Sequence, residues 1–339
     1  MNSKRWIALI TAAVLMLFSV GLNTIFAIFK NDFFESFDSA MSMGTEEMTF
    51  FETSIEGDDW DNRIALLNVD GTILDVGSST YWEEVAYDHQ LFLSQLDAIL
   101  NDDTVKAVVL SVNSPGGGVL ESAEIHEKIV QIKEERGIPI YVSMGSMAAS
   151  GGYYIAAPAD KIFAQKETIT GSIGVIMQSY NFEKLAEKVG IEFETIKSGA
   201  HKDMLGGTRA TSEEELAMVQ EMINEMYEDF VDIVETGRNM SEADVKKVAD
   251  GRILGGTQAL KAGLVDEIGK LDDTIAAIRA DYDLEGAQLF EYSSMNDSWG
   301  SLLGMKISSF VGPSAEERYV MDLLSAYNSQ RMMYLYGGQ

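Results

Sequence analysis

A serine in the middle of the chain stands in surroundings that could make it a nucleophile. Ser150 belongs to the stretch "GSMAASGGYYIA", in which small residues precede the serine and an apolar run follows two glycines. This pattern predicts a serine at the start of a helix, where free backbone N–H groups favour negative charge. A serine that merely caps a helix would have the same sequence.

A second stretch, "NSPGGG" at residues 113–118, could supply backbone amides to the same reaction. Glycine has no Cβ, so the backbone N–H groups of such a loop can approach a ligand closely. Two such amides form the oxyanion hole of an acyl-transfer enzyme. A plain glycine-rich turn is the alternative, and a P-loop is disfavoured because no Gly-Lys-Ser/Thr follows.

A serine hydroxyl needs a base that accepts its proton. The chain has only three histidines. We expect His89 and His126 to be surface residues, whereas His201 lies in the loop "KSGAHKD" next to Lys202. A lysine held away from water has a lowered pKa and can act as a base in its neutral form. His201 and Lys202 are therefore the candidates that the sequence leaves open at this point.

The composition excludes several classes of protein. The 339 residues include 54 acidic and 25 basic side chains, which gives a formal net charge of -29. Such a surface repels phosphates, so we expect no nucleic-acid partner. There is no cysteine, which removes disulfides, thiol nucleophiles and thiolate zinc sites. With so few histidines we expect no bound metal, and nothing in the sequence indicates a cofactor.

The N-terminus predicts a membrane anchor. Residues 6–29 carry no charge, with Lys4 and Arg5 before them and Lys30 after them. A membrane-spanning helix needs about 20 apolar residues. The flanking charges favour a cytoplasmic N-terminus and an extracytoplasmic remainder of the chain. A cleaved signal peptide is the alternative, but no convincing cleavage site follows.

Strand-like and helix-like patterns alternate along the rest of the chain, which predicts an α/β fold with a largely parallel sheet. Short apolar runs indicate strands at residues 63–73, 105–113, 138–144, 161–164, 171–177 and 191–199. Between and after them, helices are expected at residues 91–100, 122–136, 181–190 and 212–238. Ser212 with Glu215, and Ser241 with Asp244, read as capping boxes at helix starts.

Five motifs in order resemble the signal peptide peptidase A family of membrane-anchored Ser/Lys proteases, over about residues 60–270. They are "SPGGG", "GSMAASGGYYIA", "TGSIGVI", "IKSGAHKDM" and "DGRILGGTQALKAGLVDEIG". The resemblance implies a Clp protease/crotonase-like core of repeated ββα units, preceded by one N-terminal transmembrane helix.

The resemblance also implies a role for each site residue. Ser150 is the expected nucleophile and Lys202 the general base, in preference to Lys197. Ser172, in "TGSIG", is expected to orient the lysine amine. The backbone N–H groups of Gly117 and Gly151 are the expected oxyanion hole. No metal and no cofactor belong to this chemistry.

The function implied by the resemblance is the degradation of remnant signal peptides after their release from secreted preproteins, by cutting in their apolar core. The implied assembly is a homo-oligomeric ring, with eight chains as the expected number. Whether Ser150 and Lys202 pair within one chain or between neighbours stays open. We also hypothesise that the apolar tail at residues 332–336 enters the substrate groove of its own assembly.

The sequence predicts four segments along the chain, and two other functions remain possible from the sequence alone. Residues 1–30 are the cytoplasmic N-terminus and anchor, 31–60 a juxtamembrane linker, 61–290 the protease domain, and 291–339 a C-terminal segment with an apolar tail. One rival is a crotonase-type acyl-CoA enzyme that uses similar amides to hold a thioester. The other is a non-catalytic membrane scaffold with a protease-like fold.

Overall fold

The structure is a computed structural model that describes residues 50–76, 87–294 and 332–336. Contacts divide the chain into two compact units, Met1–Phe51 and Glu52–Gln339. The strands and helices of the described ranges lie in the second unit, apart from Phe50 and Phe51. No helix in these ranges is long and apolar enough to cross a bilayer. The predicted anchor at residues 6–29 lies outside them.

A mixed sheet, rich in parallel pairs, forms the centre of the second unit. The strands in the described part of the chain are β1 (Phe50–Glu56), β2 (Asp59–Asp70), β3 (Val105–Ser114), β4 (Gly116–Gly118), β5 (Ile140–Ala149), β6 (Lys161–Ala164), β7 (Ile169–Gly171), β8 (Ile253–Gly255), β9 (Glu267–Ile268), β10 (Ala287–Ser294) and β11 (Met333–Leu335). The main sheet has the order β1-β10-β2-β3-β5-β6-β9, with β7 attached to β5 and β8 attached to β7. The central pairs β10–β2, β2–β3, β3–β5 and β5–β6 are all parallel, as the alternation of strands and helices predicts.

Helices connect these strands and end where the sequence provides a stop. In the same ranges they are α1 (His89–Leu100), α2 (Val119–Arg136), α3 (Gly151–Ala156), α4 (Glu183–Lys188), α5 (Glu213–Arg238), α6 (Glu242–Lys246), α7 (Gly256–Lys261) and α8 (Leu271–Asp281). Helix α2 ends at Gly137, whose φ of 61° is left-handed and suits a residue without a Cβ. Helix α5 starts with the predicted capping box of Ser212 and Glu215.

Apolar side chains cover both faces of the sheet, which explains why its central strands are continuous apolar runs. On one face, Val108 of β3 belongs to a core cluster that includes Phe92 of α1, Ile125 of α2 and Phe230 of α5. On the other face, a smaller cluster packs around Ile278 of α8. The structure therefore holds β3 and β5 rigidly, and the site residues follow directly after these two strands.

Two predicted strands are wrong. The run at residues 171–177 shares only Gly171 with the observed strand β7 (Ile169–Gly171). The second wrong strand is the run at residues 191–199. Residues 191–199 have the composition of a strand, yet they form no strand in the structure and every one of them is exposed. A strand requires a neighbour that pairs with its backbone, and no described strand lies beside this segment. The local composition of this segment was therefore not sufficient to predict a strand.

The prediction that His89 is a surface residue is also wrong, because its side chain is fully buried. The hydroxyl of Tyr87 lies 2.8 Å from its Nδ1, and Glu124 Oε2 lies 2.8 Å from its Nε2. Both ring nitrogens thus have polar partners, which offsets the loss of water on burial.

The proposed segment boundaries remain predictions. Strand β1 lies within the range predicted as a linker, residues 31–60, most of which is outside the described part of the chain. Strand β10 begins before residue 290 and continues past it.

Candidate active site

Ser150 lies between β5 and α3, in a backbone conformation that is rare for a residue with a side chain. Its φ is 54° and its ψ is -117°. The backbone N–H of Ser150 donates to Gly171 O at 2.8 Å, and its carbonyl accepts from the N–H groups of Tyr153 and Tyr154 at 2.9 Å. Only 1% of Ser150 is exposed. The serine thus occupies the start of a helix, as the sequence predicts, and its backbone is held from both sides.

Strand β4 passes directly beside the first residue of α3, so Gly117 and Gly151 are neighbours. A Cβ on Gly151 would lie 3.0 Å from Gly117 N and 2.6 Å from Ser122 Oγ. A Cβ on Gly117 would lie 1.9 Å from the carbonyl oxygen of Ile73. Neither position has room for a side chain, so the two glycines are required by this close approach. The two predicted oxyanion-hole residues are therefore brought together beside Ser150.

Ser172 follows β7 on the other side of Ser150. It also has a left-handed backbone, with a φ of 53°, and it is largely buried. Its N–H donates to Arg252 O at 2.7 Å. The N–H of Ser150 donates to the carbonyl oxygen of Gly171, which directly precedes Ser172. This hydrogen bond holds the backbone segments of the two serines next to each other. The structure therefore brings Ser150, Ser172, Gly117 and Gly151 into one site.

The C-terminal strand β11 lies along this site as an extended peptide. It pairs antiparallel with β4, so that Tyr334 stands opposite Gly117. On its other side Met333 forms an antiparallel bridge with Ile176, in the segment after Ser172. Tyr336 N–H also donates to Pro115 O at 2.9 Å. A short stretch of the chain's own tail thus lies between the two backbone segments that flank Ser150.

The side chain of Tyr334 fills an apolar pocket next to the site. Its ring stacks on Tyr154 with the centroids 4.8 Å apart, and it contacts Phe230 at the same distance. Its hydroxyl donates to the carbonyl oxygen of Met226 at 2.9 Å. Burial raises the pKa of Tyr334, which keeps the phenol protonated as a donor. No sequence motif indicated this pocket, although apolar residues at helical spacing within residues 212–238 were a signal that Phe230 is buried.

Lys202 is not brought to Ser150 by any contact in the described part of the chain. Its side chain is exposed, and none of the hydrogen bonds and ion pairs described there involves its ammonium group. Lys197, by contrast, donates to Asp203 Oδ1 at 2.6 Å and to Ala200 O at 2.7 Å. The lysine that the family resemblance disfavours is therefore held by local partners, while Lys202 is not.

The other two histidines have structural partners. His126 packs edge-on against Tyr154, with the ring centroids 5.5 Å apart, and burial lowers its pKa to about 4. It is partly buried, and the prediction of a surface residue does not describe it well. His201 Nδ1 lies 3.2 Å from Glu215 Oε1. Each ring thus packs or bonds with its neighbours.

Comparison with known proteins gives this geometry a context. The family model for peptidase family S49 matches residues 132–285. A protein of Enterococcus faecium, provisionally named signal peptide peptidase SppA, is 42% identical over the full length of both chains. Protease 4 of Haemophilus influenzae is 39% identical over 63% of this chain, which spans 34% of that relative. A provisionally named protease of Synechocystis is 46% identical over 49% of this chain and 60% of its own length.

A buried serine beside a glycine-lined strand, on a parallel-rich α/β fold, together with these matches identifies a serine protease. The chain belongs to the signal peptide peptidase A family, peptidase family S49. The protease interpretation therefore replaces the two rivals, the acyl-CoA enzyme and the non-catalytic scaffold.

Proposed function

We propose that the chain is a membrane-anchored endopeptidase with a Ser150/Lys202 dyad. Its proposed substrates are remnant signal peptides released from secreted preproteins, which it cuts in their apolar core. The observation that carries this proposal is the extended, apolar peptide formed by β11 along β4, with an aromatic side chain in the adjacent pocket. A substrate that pairs with β4 in the same way has its backbone beside Ser150.

The proposed reaction is acyl transfer. Neutral Lys202 takes the proton from Ser150 Oγ while that oxygen attacks the peptide carbonyl carbon, and the N–H groups of Gly117 and Gly151 stabilise the oxyanion. Protonated Lys202 then gives its proton to the leaving amine as the C–N bond breaks. Water, deprotonated by Lys202, hydrolyses the acyl-enzyme, and the proton returns to Ser150. Ser172 is the proposed hydrogen-bond partner that orients the amine.

A neighbouring copy of the chain is the proposed partner that completes this dyad. Residues 187–200, which lead to Lys202, are exposed throughout, and their apolar side chains face solvent. The exposed apolar residues of this arm, which we define as residues 176–200, are Ile176, Tyr180, Leu185, Val189, Ile191, Phe193 and Ile196. Such a surface marks an interface. Covering the arm in a homo-oligomeric ring would also remove Lys202 from water.

The localisation we propose follows from the N-terminal segment. An uncharged stretch at residues 6–29 is long enough for a single membrane span, and its flanking charges favour an extracytoplasmic protease domain. Released signal peptides remain at the membrane because of their apolar cores. An anchored enzyme with an apolar groove would meet them there.

Labelling with a serine-reactive phosphonate probe tests the dyad. Wild-type protein is compared with Ser150→Ala, Ser172→Ala, Lys202→Ala and the control Lys261→Ala, which changes an exposed lysine of α7 outside the arm. We expect labelling to disappear in Ser150→Ala, to slow strongly in Lys202→Ala and Ser172→Ala, and to persist in the control. Labelling that survives Ser150→Ala would overturn the site, and normal labelling of Lys202→Ala would overturn the base.

The substrate proposal has a separate test. A synthetic peptide with an apolar core is incubated with the enzyme beside a peptide of equal length and polar sequence, and the products are identified by mass spectrometry. We expect cleavage inside the apolar core of the first peptide. Equal cleavage of both peptides would contradict the proposed specificity while leaving the dyad intact.

A further inference from the structure

A network of charges surrounds the turn that carries Lys202. Arg209 forms a two-pronged pair with Glu215, with Nη1 at 2.8 Å from Oε2 and Nη2 at 2.6 Å from Oε1. The same Nη2 lies 2.6 Å from Asp203 Oδ1, which also accepts from Lys197 at 2.6 Å. A bidentate arginine–carboxylate pair fixes direction as well as distance. The four side chains therefore form one connected unit.

Glu215 anchors this unit to the long helix α5. Its Oε2 accepts from the backbone N–H of Ser212 at 2.9 Å, and its own N–H donates to Ser212 Oγ at 3.2 Å. Its side chain is only 2% exposed, whereas Arg209 is 30% exposed. The carboxylate of Glu215 is thus held by the backbone N–H of Ser212, and Arg209 and His201 take their positions from this carboxylate.

Both sequence neighbours of Lys202 are bonded into the network. His201 Nδ1 lies 3.2 Å from Glu215 Oε1, and Asp203 is held by Arg209 and Lys197. Between them, the Lys202 N–H donates to Gly199 O at 3.3 Å. The backbone at 201–203 is therefore fixed from both sides, although the whole turn lies on the surface.

We propose that Glu215, acting through Arg209, His201 and Asp203, is the positioning residue that presents Lys202 to Ser150. The inference rests on the proposed function, in which Lys202 is the general base. A base on a mobile surface loop would spend little time within reach of a serine. A displacement of about 1 Å from the reactive geometry can lower a rate by about 100-fold. A network tied to a helix end limits such displacements.

The alternative is that Glu215 only caps α5. A purely stabilising role would rest on the cap and on the ion pair of the buried Glu215 carboxylate. The two roles predict different kinetics. A lost cap reduces the fraction of folded enzyme, whereas a misplaced base lowers kcat in every folded molecule.

The test measures kcat and KM per folded chain, with a fluorogenic apolar peptide and the full-length enzyme in detergent. The variants are Glu215→Gln and Asp203→Asn, with Glu214→Gln as the matched control on the exposed face of the same helix turn. Ser212→Ala is a second control, which weakens the cap but keeps the pair of Arg209 with Glu215. We expect kcat to fall roughly 10- to 100-fold in the two network variants, with KM within about threefold of wild type. We expect Ser212→Ala to lower only the melting temperature, and Glu214→Gln to change neither quantity.

Wild-type kcat in folded Glu215→Gln and Asp203→Asn would overturn the inference. If Glu215→Gln fails to fold, Asp203→Asn decides alone, because Asp203 does not touch the helix cap. The variant Lys202→Ala separates this result from the proposed function. Wild-type activity of Lys202→Ala would refute the dyad itself, whereas an inactive Lys202→Ala with fully active network variants would refute only the positioning role.

Discussion

Ser150 has a backbone conformation that its side chain disfavours. A φ of 54° combined with a ψ of -117° is typical of glycine in tight turns, and such a residue costs about 1 to 3 kcal/mol. The hydrogen bond from Ser150 N–H to Gly171 O and the start of α3 hold it in place. The sharp turn ends β5 at Ser150 and places Gly151, the next residue, beside Gly117.

This strain predicts an order of stabilities. We expect Ser150→Gly to be more stable than Ser150→Ala by about 1 kcal/mol, because glycine adopts a positive φ without a Cβ clash. Urea unfolding of both variants measures the difference. At Ser146, which lies within β5, the order should reverse because glycine weakens a strand. If Ser150→Ala is as stable as Ser150→Gly, the backbone at position 150 is not strained.

The pH dependence of activity follows from the proposed base. Only the neutral amine of Lys202 has a lone pair that can accept the Ser150 proton. We therefore expect the hydrolysis rate to increase from pH 6 to pH 9, measured on a peptide that does not titrate in that range. Circular dichroism at each pH is the control for folding. A rate that falls over this range in folded protein would exclude a lysine base.

At the residue scale, the sequence predicts that the glycines lie close to Ser150, but it does not predict that the side chain of His89 is buried. The motif around Ser150 is local, so its place at a helix start can be derived from neighbouring residues. The burial of His89 depends on Glu124, which comes from a different helix. Residues that are distant in sequence come into contact only in the folded chain, so no local sequence pattern predicts such a pair.

Three helices meet at the pocket that holds Tyr334. His126 of α2 contacts Tyr154 of α3, and Tyr154 contacts Phe230 of α5 at 4.9 Å. Between α2 and α5 lies a cavity of about 420 Å³, whose rim carries Lys133 and Asp232. His126 therefore joins the packing of α2 to the aromatic pocket.

His126 makes this packing sensitive to acid. Burial lowers its pKa from 6.5 to about 4, so the unfolded chain binds a proton in a pH range where the folded chain does not. Stability is therefore full above pH 6.5 and falls as the pH drops toward 4, by about 1 to 3 kcal/mol. Denaturant unfolding of wild type and His126→Gln at several pH values measures this loss. An identical pH dependence in the variant would contradict it.

If substrate pairs with β4 as we propose, strand β11 competes with it for the same edge. We expect a truncated chain that lacks residues 332–339 to have a lower KM for an apolar peptide, by roughly two- to tenfold, because an attached peptide acts at a high local concentration. Steady-state kinetics measure the change. The matched full-length variant Tyr334→Ala should show the same trend. An unchanged or raised KM in both would show that the tail does not block the groove.

At the element scale, helix ends were predictable and the arm was not. The cap at Ser212 uses local chemistry and occurs as predicted, and α2 ends at Arg136, where the sequence predicts its end. Residues 191–199 have strand composition but no strand beside them. Strand β11 does have a neighbouring strand, but that neighbour, β4, has only three residues and cannot be recognised as a strand in the sequence.

In the whole molecule, seven apolar side chains of the arm are exposed in the described part of the chain. Ile196 is 95% exposed and Phe193 is 49% exposed, whereas the sheet buries its apolar residues on both faces. Leu216 and Met222 on the first half of α5 are exposed as well, while Phe230 and Val234 on its second half are buried. The arm and the first half of α5 thus have the character of an interface.

Negative charges introduced on this arm should disrupt the assembly of the chains without disrupting the fold of each chain. We expect Phe193→Glu and Ile196→Glu to dissociate the proposed oligomer and to abolish activity, while the melting temperature of the protomer changes little. Light scattering after size exclusion gives the mass. Glu192→Gln, an exposed position on the same segment, is the control. An intact assembly in both glutamate variants would exclude the arm as the contact.

The pairing of β11 with β4 also has a consequence for the order of events during biosynthesis. Its partners, Met333 and Gly118, are separated by most of the described chain, so the ribosome releases the second partner long after the first. Contacts this remote form late, because closing the long intervening loop costs entropy. During translation the edge of β4 is therefore vacant, and a nascent chain exposes its binding groove before its own tail can occupy it.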